Sequence, residues 1–141
     1  MKQAAGNAGR TWVLRLQPGE DVRPVLSRWA IENGITAGCV VSAVGSLTQA
    51  HLRYANRADG IMTTADLEVC SLSGTLSADG LHLHLAVADR DGRTLGGHLL
   101  PGCIVRTTLE VVVMSISGVR MQRKPDPATT YDELDPMEVE P

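Results

Sequence analysis

The chain has 141 residues, 43% hydrophobic and 21% charged, with a formal net charge of -3. That length fits one domain with a real core. The charge, with no Lys/Arg block, argues against a protein built mainly to grip nucleic acid, and no apolar run reaches the roughly 18 residues of a membrane-spanning helix.

Residues 1–10 are rich in Gly, Ala and Asn and read as a disordered N-terminus without the apolar stretch of a signal peptide. Thr11 to Leu16 alternates apolar and polar residues, as a strand does. Pro18-Gly19 turns the chain, and Asp21 is placed to cap a helix. Val22, Val25, Leu26, Trp29 and Ala30 then form one helical stripe, closed near Gly34.

From Ala37 onward the pattern is that of strands. Cys39–Val44 and Ala50–Tyr54 are two strand pieces, followed by a loop over 56–60 and a strand over Leu67–Leu76. Asp79-Gly80 marks a hairpin turn into Leu81–Ala88, and Asp89–Gly92 marks the next turn. Ile104–Ser117 is the longest strand candidate. Its centre, Val111-Val112-Val113-Met114, predicts burial on both faces. After Lys124 the chain is rich in proline and acid, and residues 136–141 read as an acidic tail. The resulting class is α+β: one main helix, with a second short one near Gln49 or Thr94, on a mostly antiparallel sheet of five to seven strands.

Aromatic residues are only 3% of the chain, with no Phe, so the core must be aliphatic. Cys39, Cys70 and Cys103 show no metal-binding spacing. They read as reduced thiols of a cytoplasmic protein.

Three of the four histidines fall between positions 82 and 98. In Leu81–Ala88 the odd positions (Leu81, Leu83, Leu85, Val87) are apolar and face the core. His82 and His84 therefore share the other face. The turn at 89–92 brings the chain back, and His98 after Gly96-Gly97 can return to that face. Three imidazoles make a divalent-metal site of the zinc type with one open position; the alternative is a pair of solvated histidines. Glu68, on the strand hairpinned to 81–88, and Glu110, of the same parity as Arg106, are candidates to support the site or a ligand, or else form an ordinary Arg–Glu pair. Arg53, Arg106, Arg120 and Arg123 are scattered cations that an oligomer could gather around a small anion.

Several motifs together resemble the PPC domain, the "plants and prokaryotes conserved" domain. They are Gly45-Ser46-Leu47, Leu67-Glu68-Val69, Ser71 to Ser77, Asp79-Gly80-Leu81-His82-Leu83-His84, Ala88-Asp89-x-Asp91-Gly92, Gly96-Gly97-His98-Leu99, Thr108-x-Glu110 and Tyr131-Asp132-Glu133-Leu134. The likeness covers residues 11–135. It implies an α+β fold assembled as a homotrimer, a transcription-associated, DNA-binding module, and His82, His84 and His98 as a metal set. The chain contains no Arg-Gly-Arg-Pro, the minor-groove reader of plant members, and has Thr130 where members often have Gly. Direct binding to duplex DNA is therefore expected to be weak, or to run through partners. The other functional class is a small zinc-dependent enzyme acting on a small polar or anionic substrate.

Overall fold

A computed structural model describes residues 1–140. Its elements, in chain order, are β1 (Asn7–Leu16), α1 (Val22–Glu32), β2 (Gly38–Arg53), β3 (Ile61–Ser77), β4 (Gly80–Ala88), β5 (Thr94–Leu99), β6 (Ile104–Ser117), β7 (Val119–Pro125) and β8 (Asp132–Glu138). The α+β class with one main helix holds. The six-stranded sheet runs β1-β6-β2-β3-β4-β5, and β7-β8 form a small second sheet. All the strand pairings are antiparallel.

The sheet closes on itself at one end. The last residues of β2 pair with β5, Leu52 opposite Leu99 and Arg53 opposite His98, while β5 also pairs with β4. Strands β2, β3, β4 and β5 thus form a ring, filled by fully buried aliphatic side chains such as Leu52, Leu83, Leu85, Val87 and Leu99. Small residues allow the close approach. A Cβ at Gly97 would lie 2.8 Å from the Arg53 carbonyl oxygen. Gly74 adopts φ +136, and a Cβ there would run into the His82 carbonyl oxygen.

Helix α1 packs its predicted stripe on this core. Val22, Leu26 and Ala30 are fully buried, and Trp29 meets Trp12 edge-on with ring centroids 5.5 Å apart. Asp21 precedes the helix but makes no capping bond. Its carboxylate instead accepts the Gly102 N–H at 2.7 Å, which ties the start of α1 to the β5–β6 connection. Pro24 is harmless in the first turn, where no intrahelical N–H bond is needed.

The structure departs from the sequence reading in five places. The strand expected from Thr11 begins at Asn7, and Lys2 and Ala5 bond to Asp135 and Glu138 of β8. The two strand pieces over 39–54 are one bent strand with several register shifts. No helix forms near Gln49 or Thr94, because both lie in strands. Strand β6 alternates: Val111 and Val113 are buried, whereas Val112 and Met114 are only half-buried. Finally, 119–138 is a hairpin, docked through Val119 and Met121 onto Ala37 with Leu134 alongside.

Candidate metal centre and the adjoining cavity

The inner face of β4 explains the site. Leu81, Leu83, Leu85 and Val87 are all buried, so pleating forces His82 and His84 outward. In the β4–β5 ladder His84 stands directly opposite His98, and His98 in turn stands opposite Arg53 of β2. On the other side of β4, His84 is opposite Ser73 and His82 is opposite Thr75. The result is a row across four strands, Ser73–His84–His98–Arg53, with His82 one step along it.

The three rings cluster. Centroid separations are 5.2 Å for His82–His84, 5.2 Å for His82–His98 and 5.7 Å for His84–His98. One ring nitrogen from each lies within 4.8 Å of the others. Tetrahedral zinc–imidazole bonds of about 2.0–2.1 Å set nitrogen pairs about 3.3–3.4 Å apart, so ring rotation would need to close a gap of up to about 1.5 Å. The donor set fits a divalent ion of the zinc type.

The electrostatics favour neutral His82 and His98 rings. Burial, assisted by the positive charge of Arg53, pushes His98 down to about 4. Burial and then Arg123 lower His82, while Glu133 acts in the opposite sense. Neutral imidazole is the form that ligates metal.

Beside His82 and His98 lies a cavity of about 380 Å³. Three guanidinium groups face it: Arg23 from α1, Arg53 from β2 and Arg123 from β7. Tyr131, just before β8, and Glu133 of β8 also line it. Arg23 donates to the carbonyl oxygens of Leu81 (3.2 Å) and Leu99 (3.4 Å), and Arg123 donates to Thr75 Oγ1 at 3.1 Å. The Arg53 guanidinium lies over the Tyr131 ring, 5.6 Å from its centroid.

The other candidates are placed apart from the histidines. Glu68 is opposite Ala88, four residues along β4 from His84, or about 13 Å at strand rise. Glu110 lies on β6, opposite Arg15 and Val44. Arg106 pairs with Asp66 at 3.0 Å rather than with Glu110, and Arg120 pairs with Asp79 at 3.2 Å. Of the four scattered arginines, Arg53 and Arg123 line the cavity, and among the described residues neither forms an ion pair. Sequence reasoning missed Arg23, which reads as part of a helix start, and Tyr131 and Glu133. The signal for the last two was the Tyr-Asp-Glu-Leu stretch.

A ring-closed antiparallel sheet with one helix and three imidazoles on its outer face defines a small class of β-rich domains. The sequence profile of the Plants and Prokaryotes Conserved (PCC) domain matches residues 3–117, and the chain belongs to that family, the PPC domain of the motif resemblance. A hypothetical protein of Salmonella enterica is 42% identical and superimposes with TM-score 0.91 over 96% of this chain and 97% of that one. A metal-containing protein of Archaeoglobus fulgidus is 28% identical, with TM-score 0.81 over 95% of this chain and 99% of that one. The bifunctional protein GlmU of a Synechococcus strain is 51% identical over 125 residues. That match takes in 89% of this chain but 20% of GlmU, so the chain spans about a fifth of that relative's length.

Proposed function

We propose that the protein is a homotrimeric metal-binding module in which His82, His84 and His98 hold one Zn²⁺ per chain. The observation that carries this reading is the convergence of three ring nitrogens within 4.8 Å on one sheet face. Neutral rings support it, as does the metal-containing Archaeoglobus relative. Three protein nitrogens leave a coordination position open, unlike structural zinc sites, which are closed by four. A bound ion would polarise an oxygen of whatever ligand enters that position. The test is elemental analysis with zinc titration: close to one zinc per chain is expected, and His84→Ala should lose most of it. No binding, or equal binding by a variant lacking all three histidines, would contradict the site.

The cavity beside the triad supports a second reading, a small zinc-dependent enzyme acting on a small polar or anionic substrate. In either case Arg53, the cross-strand neighbour of His98, is placed to orient a ligand against the metal face. The trimer is supported by the family resemblance and by apolar side chains on an outer sheet face, where Val13 is 79% and Val44 59% exposed. Light scattering that gave a monomer at micromolar concentration would contradict it.

A transcription role, which the resemblance implies, would act weakly on DNA or through partners. The net charge is -3, so we expect duplex affinity no tighter than about 10⁻⁴ to 10⁻⁶ M near physiological salt. Nanomolar, sequence-selective binding in a titration of labelled duplexes would refute this. A cytoplasmic location fits the three free cysteines. Among the described residues no helix is long and apolar enough to cross a membrane.

A further inference from the structure

We propose that Arg23, Arg53 and Arg123, with Tyr131, form a binding site for a small organic anion, a carboxylate or a phosphate, beside the histidine face. The three guanidiniums converge on one cavity of about 380 Å³ from three separate elements. Among the described residues none of the three forms an ion pair, whereas Arg93, Arg106 and Arg120 each pair with an aspartate. Arg23 spends two donors on main-chain oxygens and Arg123 one on Thr75, so each keeps further N–H groups free.

Gathering like charges in a half-buried space is unfavourable without a counter-ion. The acids on the wall do not supply one. Asp79 is held by Arg120, and Asp132 and Glu133 make no ion pair with the three arginines. The unpaired lining is therefore three positive against two negative groups. A guanidinium fork matches two oxygens of a carboxylate or phosphate. Tyr131 adds a ring on which Arg53 rests and a hydroxyl able to donate. The cavity is the size of a small molecule; a duplex backbone would not enter it. This inference goes beyond the metal reading and stands without it, because the arginines do not depend on the ion.

The test is calorimetric titration of the full chain with inorganic phosphate and, separately, with succinate, in zinc-loaded and in chelator-treated protein. At least one anion should bind with Kd no weaker than about 1 mM, and the preferred one separates phosphate from carboxylate ligands. Arg123→Met should weaken that binding about tenfold or more with zinc content unchanged, and Arg106→Met should leave it unaltered. If Arg123→Met does not fold, Arg53→Gln takes its place. Binding of both anions weaker than about 1 mM, equal effects of Arg123→Met and Arg106→Met, or displacement of the anion by a short DNA duplex would overturn the inference. Loss of zinc binding with anion binding retained would contradict only the metal reading.

Discussion

The site is built by two hairpins of opposite character. In β4–β5 the inner face of β4 is wholly aliphatic and buried, Leu99 of β5 is buried beside it, and the connection is short, so the outward histidines are held by the same packing that holds the core. In β7–β8 only Val119 and Met121 are buried, and the hairpin forms a sheet of its own. The first supplies imidazoles to the candidate metal. The second supplies Arg123, Tyr131 and Glu133 to the wall of the adjoining cavity. Metal ligation would tolerate little displacement, and the candidate ligands lie on the hairpin anchored by the buried β4 face. Ligand contact would tolerate adjustment, and those three cavity-lining residues lie on the lightly anchored one.

Substitutions can break this contrast in order of size. Leu83→Ala, beneath the histidines at a fully buried position, should cost about 2–5 kcal/mol of stability. Its neighbour His84→Ala should barely change the metal-free melting temperature. Comparable losses would mean that His84 is a packing residue. Gly74→Ala comes next: φ is +136 and the new Cβ meets the His82 carbonyl, so a loss of about 1–3 kcal/mol is expected in chemical denaturation. Zinc affinity should fall with it, since β4 must shift. An unchanged denaturation midpoint would show that β3 and β4 have room to spare.

In the second hairpin, Thr130 sits at φ 65. Relieving a left-handed non-glycine residue gains about 1–2 kcal/mol, and the extra freedom of glycine when unfolded offsets about 0.4–1 kcal/mol. Thr130→Gly should thus stabilise slightly, by about 0.5–1 kcal/mol, and leave zinc binding alone. Destabilisation would mean that the Thr130 side chain holds the turn.

A separate effect is in pH. His98 lies near 4 and His82 is lowered too, against about 6.5 in the unfolded chain. The unfolded state therefore binds more protons between these values, and metal-free protein should lose stability as pH falls from about 6.5 towards 4. Melting curves across that window should show the decline, and His98→Asn should flatten it.

The histidine face was legible because it is local. Period-two alternation over 81–88 and one turn sufficed to place His82, His84 and His98, and the buried odd positions confirm that alternation. The main helix was equally plain from its stripe. What could not be read is long-range docking. Arg23 lines the cavity because the start of α1 is tied to the β5–β6 connection, through the Asp21 carboxylate on the Gly102 N–H and the Val22 N–H on the Cys103 carbonyl, and nothing in the helix pattern carries that. Arg106 found Asp66, on a different strand, instead of Glu110 on its own. The β7–β8 hairpin was hidden by its composition, since the prolines and acids after Lys124 carry no strand alternation and 136–141 read as tail. It forms because an Asp126–Tyr131 turn closes with main-chain bonds and two apolar residues reach the core.

The most direct test of the metal face is zinc K-edge X-ray absorption on the zinc-loaded protein. Three imidazole ligands at about 2.0–2.1 Å and a remaining position filled by a non-protein ligand are expected, with the imidazole signal collapsing in His84→Ala. A thiolate shell at about 2.3 Å, or an unchanged spectrum in that variant, would place the metal elsewhere and contradict the three-histidine site.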